Sequence, residues 1–285
     1  MMVDMNPQPT DGFAWVQAAG KPALVCRPLE PFARHLFTTR AWILGAARDG
    51  DSREGWEEVA ASIGATVETL ARAHQVHGSN VAVARADARP DADIIVSRES
   101  GMVVAIQTAD CVPLVFVDSR TGAVAAAHAG WRGLAERVPA VTVAALARRF
   151  GTRPADLIVA AGPSIGACCY EVGEDVKAAF ERAGASSDEI ARWFFRESRP
   201  TPVNRSIEKV PRAPRAHHYY FDGWRATRDQ LEQSGVASDR LHMPDLCTAS
   251  HPDVFCSYRR DGAPAGRMAA VIRVGQPAVG REVDL

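Results

Sequence analysis

Long apolar runs are missing from this chain of 285 residues: no uncharged stretch approaches the roughly 18 residues of a membrane helix. The N-terminus, Met1-Met2-Val3-Asp4-Met5-Asn6-Pro7, has neither a basic n-region nor an apolar h-region, so we expect a cytoplasmic protein with no membrane partner. Charge of one sign is missing too. With 33 Lys and Arg against 34 Asp and Glu, the formal net charge of -1 gives no general attraction to nucleic acid, and no nucleic-acid partner is expected. Cysteine is sparse: six residues without a secretion signal read as reduced thiols, not as a disulfide framework.

What is present is ordinary for a soluble globular enzyme, with 47% hydrophobic and 24% charged residues and no shift in composition along the chain. Met102 to Ile106, Val112 to Val117 and Ala123 to Ala127 are short Val-, Ile- and Ala-rich runs that read as buried strands. Apolar residues at helical spacing predict one helix from Trp131 to Phe150, with Gly151 as its C-cap. Further strands are predicted at Ala23 to Arg27, His35 to Thr39, Val81 to Ala84, Asp93 to Val96 and Asp156 to Ala161, with Arg267 to Val274 closing the sheet. Helices are predicted over Gly55 to Leu70, Gly173 to Ala183 and Trp224 to Gln233, the last capped by Asp222. Adjacent strands mixed with helices point to an α+β fold, not to a doubly wound parallel sheet.

Three motifs carry the chemistry: His74-Gln75-Val76-His77-Gly78, Thr108-Ala109-Asp110-Cys111-Val112-Pro113 and Ala127-His128-Ala129-Gly130-Trp131-Arg132-Gly133. If the strands bearing Cys111 and His128 are neighbours, a thiolate and two imidazoles could converge on one ion and leave a position open, as in catalytic zinc sites. Water bound there would have its pKa lowered toward about 7. The separations of 34 and 17 residues fit no short zinc pattern, so other readings stay open. Cys111 could be a nucleophile with His128 as base and Asp110 as orienter, and the same ligand set would also suit copper.

Other clusters have plainer readings. Gly162-Pro163-Ser164-Ile165-Gly166 is neither a Walker motif nor a dinucleotide fingerprint, and reads as a turn before it reads as an anion site. Cys168-Cys169 is expected to straddle core and surface, because neighbouring residues do not easily aim two sulfurs at one ion. Ser257-Tyr258-Arg259-Arg260-Asp261-Gly262 reads as a hairpin or as a phosphate or base contact. Glu197 to His218, rich in Arg and Pro, reads as a surface loop.

Taken in order, these motifs, with Gly-Pro-Ser-Ile-Gly-Ala-Cys-Cys-Tyr-Glu-Val-Gly and the C-terminal Phe-Cys-Ser-Tyr-Arg-Arg-Asp-Gly and Gly-Arg-Met-Ala-Ala-Val-Ile, strongly resemble the YfiH-type family. Its members are also called laccase-domain proteins, polyphenol oxidases, peptidoglycan editing factors and purine nucleoside phosphorylases. The resemblance spans roughly Leu36 to Arg273. It implies a layered α/β/β/α sandwich with mixed sheets in a single domain, 21–275, between an N-terminal tail, 1–20, and a C-terminal tail, 276–285. It also implies zinc held by His77, Cys111 and His128, phosphate contacts from Arg40 and Arg132, and a small-molecule partner, a purine nucleoside with phosphate. Expected activities are phosphorolysis of adenosine, inosine, guanosine and methylthioadenosine, with adenosine deamination. A peptidoglycan editing hydrolase is the alternative, and a laccase-like copper polyphenol oxidase a further one. Eight histidines without one His-X-His pair argue against a multicopper cluster, although copper could occupy the three-ligand site. A monomer or homodimer is expected. The chain departs from the family at Ala41-Trp42-Ile43-Leu44-Gly45-Ala46-Ala47-Arg48, where relatives carry a Gly-Gly-Val-Ser loop and a Ser-Leu-Asn-Leu-Gly segment that help build the substrate pocket.

Overall fold

The computed structural model describes residues 6–46, 50–204 and 215–275. Its two main sheets use strands β1 (Phe13–Ala18), β2 (Lys21–Cys26), β3 (Arg34–Thr38), β4 (Leu70–Ala71), β5 (Val81–Val83), β6 (Ile94–Ser97), β7 (Val103–Thr108), β8 (Val112–Asp118), β9 (Val124–Ala129), β10 (Leu157–Ala161), β11 (Leu241–His242) and β12 (Met268–Arg273). The first sheet runs β1-β2-β3-β12-β7-β4 and the second β11-β10-β8-β9-β6-β5. Both are mixed. Their central pairs are antiparallel, while β4 pairs parallel to β7, β5 to β6 and β11 to β10.

Alternation along the strands sets the layers. In β8, Val115 and Val117 face the other sheet and meet Val104, Ile106 and Ile272. Leu114 and Phe116 face the opposite way, onto a helical layer with Leu134, Val138, Leu146, Phe180 and Leu231. Across the molecule, Leu36, Val103, Ala105 and Val271 of the first sheet pack on Trp56 and Val59 of helix α1 (Arg53–Ser62) and on Ile63, its C-cap. The result is the expected α/β/β/α sandwich. Trp56 is wholly buried, and truncating it to Ala would cost about 3–5 kcal/mol.

Several expectations change. The stretch 1–20, expected as a tail, supplies β1, whose register with β2 runs from Phe13 opposite Cys26 to Ala18 opposite Lys21; Phe13 is buried there. The expected C-terminal tail, 276–285, lies outside the described residues, as does 205–214 of the Arg- and Pro-rich loop. The helix predicted from Trp131 to Phe150 is two: α2 (Trp131–Ala135) and α3 (Val138–Phe150). Arg137 takes a left-handed φ of 59° between them, and Pro139 in the first turn of α3 lacks the N–H that would continue a helix from upstream. β12 lies in the middle of the first sheet, between β3 and β7, instead of closing it; its continuous apolar run, buried on both faces, fits a central strand. The remaining helices are α4 (Glu174–Arg182), α5 (Ser187–Trp193), α6 (Gly223–Gln233) and α7 (Tyr258–Asp261); α6 has Asp222 accepting from the Arg225 N–H, as predicted. The segment read as a hairpin at 257–262 is α7, since the Ser257 side chain accepts from the Arg260 N–H as an N-cap.

Candidate metal centre

The chain crosses from one sheet to the other between β7 and β8, through Ala109, Asp110 and Cys111. That crossing needs Asp110 at a φ of 92°, which an L-residue adopts at a cost of about 1–2 kcal/mol. Its carboxylate is held from both sides: Thr248 Oγ1 donates to Oδ1 at 2.5 Å and the Arg259 N–H to Oδ2 at 2.6 Å. The Ile165 N–H donates to its carbonyl at 2.9 Å. Asp110 therefore fixes the turn that presents Cys111, and its carboxylate is engaged away from His128.

His128 is the penultimate residue of β9, paired with Pro113 of β8, so it follows Cys111 across one sheet edge. His77 reaches the same point from the loop between β4 and β5, with a left-handed φ of 61°. One residue holds this loop to the sheet. Asp93, completely buried, accepts the N–H groups of Val76 and His77 at 3.1 Å and of Gly78 at 2.8 Å, and lies 2.8 Å from His128 Nδ1. Burial raises the Asp93 carboxyl, but the His128 hydrogen bond and these amides outweigh it and hold it below its ordinary value. An ionised carboxylate only accepts, so His128 Nδ1 carries the proton and Nε2 is left for the centre.

Donor atoms of His77, Cys111 and His128 lie within 4.8 Å of one another. Burial pushes the Cys111 thiol up, yet the charge of His128 and hydrogen bonds from both imidazoles outweigh it and bring it down to about 6. His128, which burial would lower, is pushed up to about 9 by the Cys111 charge and Asp93. The two shifts favour a thiolate beside an imidazolium, and a cation between the three donors would take the place of that proton. Gly130 leaves the room: a Cβ there would sit 2.9 Å from Cys111 Sγ and 3.3 Å from His77 Cδ2. One soft sulfur and two imidazole nitrogens, with a fourth side open, suit zinc.

That open side is a cleft of about 710 Å³. Its walls carry the aromatic rings of Trp131, Tyr170 and Tyr258 and the guanidinium groups of Arg89, Arg132, Arg259 and Arg267. Arg132 lies over the Trp131 ring at 4.3 Å and Arg259 over Tyr170 at 5.1 Å. Arg40, expected as a phosphate contact, is not among the lining residues; it donates to the Pro252 carbonyl instead. The divergent stretch 41–48 is described as far as Ala46. Trp42 and Leu44 bury into the α1 layer, and Asp51, just beyond, pairs with Arg72 and with Arg89 of the cleft wall. The turn at Gly162 to Gly166 is structural: Gly162, Ser164 and Ile165 give their N–H groups to the Pro113, Leu246 and Asp110 carbonyls, and Gly166 gives its own to Cys247 Sγ.

Sequence reasoning missed Asp93 and Tyr170, and gave Arg89 and Arg267 no role. For Asp93 a signal existed, an acid directly before an apolar strand, where ionisation demands a partner. Cys168 is buried and Cys169 half-buried, so the pair straddles core and surface as expected, but the expectation that their sulfurs would not face one point is overturned. Both N–H groups of Cys169 and Tyr170 return to the Gly166 carbonyl, and this tight turn brings the two sulfurs within 4.8 Å of Cys247 Sγ.

A mixed sandwich that gathers sulfur and imidazole donors at the floor of an arginine-lined cleft defines a class of protein built to hold a metal beside a small molecule. Residues 49–275 match the family model described as multi-copper polyphenol oxidoreductase laccase, and the chain belongs to this family, the YfiH type. It is 36% identical over 250 residues to a purine nucleoside phosphorylase of Deinococcus radiodurans, covering 84% of this chain and 88% of that relative. It is 32% identical over 221 residues to adenosine deaminase RL5 of an unknown prokaryotic organism, covering 73% and 76%. The crystal structure of YlmD from Geobacillus stearothermophilus superposes with a TM-score of 0.75 at 26% identity, covering 92% of this chain and 99% of that one. Among the described residues, no helix is long and apolar enough to cross a membrane.

Proposed function

We propose that the chain is a zinc-dependent purine nucleoside phosphorylase, converting adenosine, inosine, guanosine and methylthioadenosine to base and sugar 1-phosphate, with adenosine deamination as a second activity. The observation that carries this is the placement of the three donors beneath a cleft that offers both guanidinium groups and aromatic faces. His77, Cys111 and His128 would hold the zinc, which when bound supplies Lewis-acid polarisation of an oxygen atom. Asp93 keeps Nδ1 of His128 protonated and the ring oriented, so that Nε2 faces the centre. Arg132, with Arg89, Arg259 and Arg267 on the same walls, neutralises phosphate. The rings of Trp131, Tyr170 and Tyr258 give a purine apolar faces to stack on. The names of the two relatives support both activities.

A second reading has one observation in its favour. His128 and His77 beside Cys111 bring its thiol down to about 6, which favours the thiolate that a peptidoglycan editing hydrolase using a cysteine nucleophile would require. Incubating metal-defined protein with adenosine, with and without phosphate, separates the two. Adenine formed only with phosphate supports phosphorolysis and inosine supports deamination. Neither product, from protein that carries a full complement of zinc, overturns the nucleoside reading.

A further inference from the structure

We propose that Cys168, Cys169 and Cys247 form a second metal site, separate from the first, that binds one Cu(I) ion through three sulfurs. The three Sγ atoms lie within 4.8 Å of one another. Around an ion with metal–sulfur bonds of about 2.3 Å, sulfurs at trigonal angles would stand about 4 Å apart, so closure needs movements of well under an ångström per side chain. The backbone sets this up from two directions. The turn after Gly166 curls Cys168 and Cys169 onto one side, and Cys247 is held alongside by its bridge to Ser164, with the Thr248 N–H donating to the Ser164 carbonyl at 3.1 Å.

Negative charge in the free cluster falls on Cys247, to which Cys168 and Cys169 donate; the thiols of Cys168 and Cys169 are themselves pushed up, and a soft cation would displace their protons. The Gly166 N–H donates to Cys247 Sγ at 3.3 Å, and Asn204 Nδ2 donates to Cys168 Sγ at 3.4 Å. Asn204 is completely buried, and among the described residues its Oδ1 has no hydrogen-bond partner. Burying a carboxamide to make one weak bond to a neutral thiol is a poor exchange, whereas the same bond to a thiolate is charge-assisted and roughly twice as strong. Although burial raises the Cys247 thiol, hydrogen bonds from Cys168 and Cys169 and the Gly166 amide outweigh it and hold it well below its ordinary value.

Donor count and softness choose the ion. Among the described residues the cluster contains three candidate ligands, all sulfur, and its neighbours include the apolar Ile165 and Trp224. Structural zinc takes four ligands in a tetrahedron. A monovalent, soft ion accepts an all-thiolate set of three and needs no water to complete it. Copper bound by this protein would then reside here, on the far side of Tyr170 from the His77–Cys111–His128 donors.

The test is an anaerobic titration with Cu(I) against the chromophoric chelator bicinchoninate, using the reduced full chain and its Cys111→Ala variant. Cys111→Ala is expected to take one Cu(I) per chain, with X-ray absorption reporting three sulfur neighbours. Adding Cys169→Ser, at the half-buried position, should weaken that binding about 100-fold while the melting temperature is kept. Absence of Cu(I) uptake by Cys111→Ala, a shell containing nitrogen, or unchanged affinity after Cys169→Ser would each overturn the proposal. So would uptake of Zn(II) in preference to Cu(I) by the cysteine cluster. If a variant fails to fold, the wild-type chain still decides: Cu(I) loading should block alkylation of Cys169 by iodoacetamide, and alkylation at the same rate would sink the site.

Discussion

Cys111 and Cys247 both have acidified thiols and both lie in clusters of three potential ligands, yet their neighbourhoods differ in every other respect. Cys111 is flanked by two imidazoles, one oriented by a buried carboxylate that also holds the backbone of the other, and it opens on a cleft lined by four arginines. Cys247 is flanked by two more thiols, with a backbone amide as outside donor and apolar Ile165 and Trp224 nearby. Nitrogen donors and an open side allow exchange of small molecules. An all-sulfur, closed shell favours retention of one soft ion. The same element of the fold feeds both, since Asp110 fixes the turn carrying Cys111 while its partner Thr248 directly follows Cys247.

The largest expected effect breaks one member of the comparison outright. Cys111→Ala should strip the metal from the first centre and lower phosphorolysis about 1000-fold or more, because a Lewis acid contributes several kcal/mol to the transition state. Metal content by mass spectrometry and product formation are measured together; zinc retained at full occupancy would remove Cys111 from the ligand set. Asp93→Asn comes next. It leaves volume unchanged but offers one acceptor oxygen where the carboxylate serves three amides and His128. Zinc affinity should fall about 10–100-fold, read by chelator competition. An unchanged value would mean that β9 alone aims His128.

Two glycines sharpen the contrast further. Gly130→Ala would drive a Cβ to 2.9 Å from Cys111 Sγ, and Gly166→Ala would drive one to 2.7 Å from the Trp224 ring, moving the amide that serves Cys247. Each is overpacking worth about 1–3 kcal/mol of stability, so the two variants should melt alike. Their metal binding should separate: Gly130→Ala weakens zinc and spares Cu(I), and Gly166→Ala does the reverse. Loss of both ions in either variant would show the clusters to be one structural unit.

Much of this was legible in the chain. Strands β7, β8 and β9 and the caps of α3 and α6 declare themselves through local apolar patterning and through Gly151 and Asp222. His77, Cys111 and His128 stand out as a candidate set because their motifs resemble a known family, and the structure brings their donor atoms together. What could not be read is what depends on distant partners. β1 needs β2 to bury Phe13. The break at Arg137 rests on a backbone angle, and the three-sulfur cluster joins residues about 80 positions apart through a turn whose hydrogen bonds leave no composition signal. Arg40 is expected as a phosphate contact from the family resemblance, but Pro252 supplies a carbonyl that turns it aside.

The smallest effect concerns the helical layer under the first centre. Arg137, at the break between α2 and α3, donates to Glu189 Oε1 at 3.2 Å, and Gln233 Nε2 donates to the same oxygen at 3.1 Å. Burial raises the Glu189 carboxyl, but the Ser186 amide, Gln233 and Arg137 outweigh it and bring it down from 4.5 to about 2. A depressed folded value means the stabilisation is complete above pH 4.5 and is lost as pH falls toward about 2. With Arg137 about one-third exposed, at 34%, solvent screening reduces the contribution to about 1 kcal/mol. Denaturant melts of the wild type and Glu189→Gln should therefore converge between pH 4.5 and 2 and differ above it. α2 carries Trp131 and Arg132 of the cleft wall, so the loosening should reach the first centre and leave the cysteine cluster alone. Equal differences between the two chains across the whole pH range would show that Glu189 acts by packing and not through its charge.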